Sequence, residues 1–200
     1  MTLTLDDLRP IFAKAPPEAL ANLDAIYHDA ARVMSPAGLA IYLEAARGLG
    51  NLGRGHDLVL AWLENMPAVV KECGEDILRD CLEAAMKLAS MTSGEVIALL
   101  FASLPTAARR LGDPELLRGY LQLIHHLSAK AARGLRPMLG QIDELLSKLT
   151  LSGLRRWANF GAEAYRTDLQ NLTRYFALES PDARKVLQQE RRGTLVIDTQ

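Results

Sequence analysis

Apolar residues recur along the middle of the chain with a helical period, and the same arrangement returns every 39 positions. Successive gaps of 3, 1, 3 and 3 residues place five side chains on one face of a helix, and this pattern occurs three times. Its members are Leu39, Tyr42, Leu43, Ala46 and Leu49, then Leu78, Cys81, Leu82, Ala85 and Leu88, then Leu117, Tyr120, Leu121, Ile124 and Leu127. We call the helices that carry this pattern A helices.

A second apolar pattern alternates with the first and repeats every 38 positions. Its members are Val59, Trp62, Leu63 and Met66, then Ile97, Leu100, Phe101 and Leu104, then Leu135, Met138, Leu139 and Ile142. We call these B helices, and each A–B pair is predicted to form a helical hairpin. A hairpin cannot bury its apolar stripe alone, so successive copies are expected to stack. The pattern therefore predicts an all-α, HEAT/armadillo-like solenoid of about three to four repeats of 38–39 residues.

The spacing also predicts the domain organisation. Residues 1–35 are expected to form an N-terminal helical cap, and residues 36–192 the helical-repeat domain, with a degenerate fourth copy starting at Leu154. Ser35 and Pro36 have the residue types of an N-cap and a first helical position. Residues 194–200 read as a β-strand, which is unstable without a partner. We expect residues 193–200 to begin another domain or a linker in a truncated chain; a strand that packs back on a helix is the alternative.

Composition and charge narrow the class of protein. The apolar content of 49 % is sufficient for a substantial core, and the net charge of −1 gives no reason to expect nucleic acid or anionic membrane as a partner. Residues 1–100 contain 8 Lys and Arg against 14 Asp and Glu, whereas residues 101–200 contain 15 against 10. This asymmetry favours either electrostatic orientation on a partner or ordinary solvated faces. With only two cysteines and no signal-peptide pattern, a cytoplasmic location is expected.

The polar residues do not form a recognisable catalytic or metal-binding arrangement. His125 and His126 point about 100° apart on a helix and cannot share a metal ion from one face. The glycine-rich segment 48–57 lacks the Lys-Ser/Thr pair of a phosphate-binding loop and is better explained as a turn between helices. We therefore expect no catalytic, cofactor-binding or metal-binding residue in this chain, and no enzymatic activity.

Arginine pairs are the recurrent polar feature of the second half. Cations at a helix C-terminus complement the helix dipole, which accounts for most of them. Arginine and tryptophan are also favoured anchors of protein interfaces, so a partner with an acidic surface is the sharper hypothesis. The residues predicted to bind such a partner are Arg109, Arg110, Arg155, Arg156 and Trp157.

Several segments resemble a known family. The stretch Phe101–Leu111 (FASLPTAARRL) is similar to part of the CbbO/NorD proteins, and so are Gly153–Trp157 (GLRRW), Tyr175–Pro181 (YFALESP) and Gln189–Leu195 (QERRGTL). Members of this family combine a helical N-terminal region with a C-terminal von Willebrand factor A domain. The resemblance covers roughly residues 39–200 and does not separate the CbbO branch from the NorD branch.

The resemblance implies a non-catalytic adaptor that works with a hexameric MoxR-type AAA+ ATPase. In the CbbO branch the ATPase is CbbQ, and the pair activates Rubisco by releasing inhibitory sugar phosphates; this branch is favoured. In the NorD branch the partner is NorQ and the client is nitric oxide reductase. ATP and magnesium are expected on the ATPase, and a divalent metal on the absent von Willebrand domain. A small-ligand-binding regulatory module is the alternative of another class.

Overall fold

The computed structural model describes residues 4–13, 15–53, 55–140, 142–147, 149 and 151–160. All the regular structure in these ranges is helical, which confirms the all-α prediction. A 3-10 helix spans Leu5–Phe12. It is followed by α1 (Pro17–Ala21), α2 (Leu23–Val33), α3 (Pro36–Gly50), α4 (His56–Cys73), α5 (Ile77–Ala89), α6 (Gly94–Leu111), α7 (Pro114–Gly140), α8 (Ile142–Ser147) and α9 (Leu151–Phe160). The predicted strand at 194–200 lies outside the described residues.

The chain divides into two compact units, one formed by Met1–Arg109 and the other beginning at Arg110. In the first unit, α3 packs against the 3-10 helix, α4 and α5, and α2 packs against α4. In the second unit, α7 packs against α8 and α9.

The apolar pattern correctly identifies the core of the first unit. The A and B positions of the first two copies are buried, apart from Leu39 and Leu82, which are half-buried. Trp62 lies at the centre, with its ring edge-on to Phe101 at 5.2 Å and stacked near Tyr42 at 6.4 Å between ring centroids. Because aromatic pairs in these geometries add to the free energy of burial, this cluster holds α3, α4 and α6 together.

Helices α4 and α6 correspond closely. Each has 18 residues, their first residues lie 38 positions apart, and each has a proline at its twelfth position, Pro67 and Pro105. Proline cannot donate to the carbonyl four residues earlier, so Pro67 leaves the Leu63 oxygen without its helical partner. The Tyr42 hydroxyl donates to that oxygen at 2.6 Å, and the indole Nε1 of Trp62 donates to the Tyr42 carbonyl at 3.0 Å. These two bonds join the A and B helices of the first copy.

The predicted start of α3 at Ser35 and Pro36 is confirmed. Helix α7 also begins with a polar N-cap, whereas α4 does not. The Ser35 hydroxyl accepts from the Gly38 amide at the start of α3, and the Asp113 carboxylate accepts from the Glu115 amide at the start of α7. In contrast, α4 has Gly55 as its N-cap, with a φ of 94° that only glycine adopts readily.

The third predicted hairpin is wrong. Its A and B positions lie mainly on the single continuous helix α7, which has 27 residues, and only Ile142 lies on α8. The intervening residues 128–133 are rich in alanine and contain no proline, so the helix continues through the predicted turn. Leu117, Tyr120, Leu135 and Leu139 are nevertheless buried, as their apolar pattern predicts.

Candidate partner-binding site

The predicted partner-binding residues occupy two places along the chain. Arg109 and Arg110 lie in the last turn of α6, and both are exposed. Arg155, Arg156 and Trp157 lie on α9, where the Arg155 side chain is exposed. The side chains of Arg156 and Trp157 lie outside the described part of the structure.

Arg110 is already engaged within the second unit. Its Nη2 lies 2.8 Å from Oδ1 of Asp143 on α8, and both side chains are more than half exposed to solvent. An exposed ion pair contributes little to stability, but it offsets the arginine charge that a partner would meet. Arg110 is therefore a weaker candidate than Arg155.

Helix α9 presents an exposed stripe at intervals of four residues, formed by Leu151, Arg155 and Asn159. Leu151, the first residue of α9, is 53 % exposed. The stripe thus places an apolar side chain one turn before a cation. Apolar periodicity identifies buried positions and therefore did not indicate Leu151, although the spacing of Leu151 from Arg155 is visible in the sequence.

The side of α9 that carries Leu154 is fixed closely on α7. Leu154 is buried there, and its backbone occupies the space that a side chain at Gly119 would need. At the last position of the exposed stripe, the Asn159 amide donates to Oε1 of Glu115 on α7 at 3.2 Å and to the Arg155 carbonyl at 2.9 Å. These contacts determine which face of α9 carries the exposed stripe.

The cysteines and histidines do not extend the site. Burial raises the pKa of the Cys81 thiol, so it is protonated at neutral pH and is a poor nucleophile. His28 hydrogen-bonds through Nδ1 to the Asp24 carbonyl at 2.6 Å, and His56 lies beside Asp57 at 3.2 Å. In the part of the chain that the structure describes, no three His, Cys, Asp or Glu residues form a metal-binding group.

Within the same described ranges, no helix combines the length and the apolar character needed to cross a bilayer. Comparison of the chain with protein-family models, with curated proteins and with solved structures gives no match.

Proposed function

We propose that this chain is a non-catalytic adaptor domain that binds a partner protein through the exposed stripe of α9. The observation that carries the proposal is the pairing of exposed Leu151 with exposed Arg155 one helical turn later. An apolar contact beside a cation suits a protein surface that offers a carboxylate next to an apolar patch.

The first unit is proposed to be a solenoid of helical hairpins. Its support is the correspondence between the pairs α3–α4 and α5–α6: α3 and α5 end 39 residues apart, and α4 and α6 begin and end 38 residues apart. Stacked hairpins form a rigid support that can hold a bound partner in place without any catalytic activity. The continuous helix α7 restricts this regular arrangement to the first two copies.

The partner is proposed to be a MoxR-type AAA+ ATPase ring. The support is the resemblance of the segments 101–111, 153–157, 175–181 and 189–195 to the CbbO/NorD family. In the favoured version the ring is CbbQ and the client is Rubisco, whose inhibitory sugar phosphates the ATPase would release. In the alternative version the ring is NorQ and the client is nitric oxide reductase.

A pull-down of the chain with purified CbbQ and NorQ rings tests the proposal and separates its two versions. Retention by one ring, in the presence of ATP and magnesium, supports the corresponding branch. Retention by neither ring contradicts the proposed partner. An unrelated AAA+ ring serves as the control for non-specific capture.

A further inference from the structure

Helix α6 has an apolar solvent-facing side. In this it differs from α4, which has the same length and a proline at the same position. From Val96 to Ala108 the chain contains no charged residue. Ala102, at the centre of this stretch, is exposed, and the residues around it on the same side are half-buried: Ala98, Leu99, Pro105 and Thr106. A helix that is apolar on all sides is usually covered by another element.

This face has the spacing of a helix-pairing seam. Glu95, Ala102 and Arg109 follow one another at intervals of seven residues, with Leu99 and Thr106 four residues after the first two. A seven-residue repeat keeps one side of a helix facing a partner helix, and small side chains permit close approach of the two backbones.

The charges at the two ends of the seam are self-complementary. Glu95 lies seven residues before Ala102 and Arg109 seven residues after it, and both are exposed. When two such helices run antiparallel about Ala102, each Glu95 meets the Arg109 of the other copy. A parallel pairing would bring like charges together, which costs free energy.

We propose that two copies of this chain pair through α6, antiparallel and centred on Ala102. The occupant of the apolar face is thus a second copy, and the resulting interface is two-fold symmetric. This inference does not depend on the adaptor proposal, because it uses neither α9 nor an ATPase.

Helix α4 provides an internal comparison. At the 38-residue offset, Asp57 corresponds to Glu95 and Lys71 to Arg109, but Glu64 takes the place of Ala102. Two carboxylates would meet at the centre of an α4 pair, so this helix cannot pair in the same way. The variant Ala102→Glu transfers that feature to α6, and because α4 accommodates an exposed Glu64 at this position, the fold should be retained.

Sedimentation equilibrium of the full chain tests the pairing over about 1 µM to about 1 mM, which spans weak and moderate dissociation constants. The wild-type mass should rise from monomer to dimer across this range, and the Ala102→Glu protein should remain monomeric with an unchanged circular dichroism spectrum. Ala25→Glu, which adds the same charge to an exposed position of α2, should dimerise like the wild type. A wild type that stays monomeric, or a folded Ala102→Glu protein that dimerises normally, would overturn the proposal.

A charge swap tests the antiparallel orientation. Glu95→Arg and Arg109→Glu alone should each raise the dissociation constant by about tenfold or more, because each places like charges together. The double variant Glu95→Arg/Arg109→Glu restores opposite charges at both ends and should recover most of the wild-type affinity. Failure of the double variant to recover, with both single variants weakened, would overturn the antiparallel arrangement.

Discussion

The Tyr42 hydroxyl donates a 2.6 Å hydrogen bond to the backbone carbonyl of Leu63, and both residues are buried. This carbonyl lacks the amide donor that an α-helix normally supplies, because the residue four positions later is Pro67. A side chain of one helix thus compensates for a proline in the next. Burial also raises the pKa of Tyr42, so its hydroxyl remains protonated and able to donate at all physiological pH values.

We expect Tyr42→Phe to lower the free energy of unfolding by about 1–3 kcal/mol, since it leaves a buried carbonyl without a partner. Urea denaturation followed by circular dichroism measures the change. The Pro67→Ala background provides the control, because its restored amide can donate to Leu63. In that background Tyr42→Phe should cost much less, and an equal cost in both backgrounds would contradict the assigned role.

Features of this arrangement that depend on residues close together in the sequence could be predicted, whereas features that depend on residues far apart in the sequence could not. The burial of Trp62, Phe101 and Cys81 could be predicted, because helical periodicity alone identifies one face of each helix. The hydrogen bond from Tyr42 could not be predicted, because a proline in a helix shows which carbonyl loses its amide donor but not which group replaces that donor. The merging of the third hairpin into α7 could not be predicted either, because an alanine-rich segment is compatible with either a turn or a continuous helix until tertiary packing decides.

The candidate site was only partly predictable for a similar reason. Arginine pairs are visible in the sequence, but the pairing of Arg110 with Asp143 joins residues that are 33 positions apart. The exposed side of α9 depends on how Leu154 packs against Gly119, which no local pattern encodes.

Gly119→Ala should destabilise the second unit. A Cβ atom at this position would collide with the backbone carbonyl of Leu154, and backbone cannot move aside as a flexible side chain can. We expect a loss of about 1–3 kcal/mol or a displaced α9. Gly48→Ala is the control: it lies inside α3 with open space around it, so it should be neutral or stabilising by up to about 1 kcal/mol. Thermal denaturation of both variants gives the comparison, and equal behaviour would contradict the close approach of α7 and α9.

Glu75 connects the turn before α5 to the start of α3. Its carboxylate accepts from the Ser35 backbone amide and, at 2.7 Å, from the Ser35 hydroxyl. The amide and then the hydroxyl hold the Glu75 pKa below its ordinary value. A carboxylate with a lower pKa in the folded chain stabilises the fold above the unfolded pKa, and the contribution disappears as the pH falls through the folded pKa.

The variant Glu75→Gln should therefore lower the melting temperature at neutral pH more than at an acidic pH below the folded-state pKa of Glu75, where the wild-type carboxylate is protonated. Melting curves at several pH values measure the difference. Glu72→Gln, at the exposed end of α4, is the matched control and should produce no comparable pH dependence. An equal effect of Glu75→Gln at both pH values would show that the carboxylate charge does not contribute.

Cys73 and Cys81 are not joined in a disulfide, and both are buried. Burial also raises the pKa of Cys81, which lowers the fraction of reactive thiolate. We expect a thiol-specific chromogenic reagent to label the native protein slowly at neutral pH and to label two thiols rapidly after denaturation. Fast labelling of Cys81 in the native protein, identified by mass spectrometry, would contradict its position in the core.

The adaptor proposal is tested most directly by titrating the labelled chain with the CbbQ ring and measuring fluorescence anisotropy. The double charge reversal Arg155→Glu/Arg156→Glu should weaken binding by about tenfold or more without lowering the melting temperature. Lys71→Glu/Arg79→Glu, which makes the same charge change at exposed positions of the first unit, should leave the affinity nearly unchanged. If the α9 variant binds as tightly as the wild type, α9 does not carry the partner-binding surface.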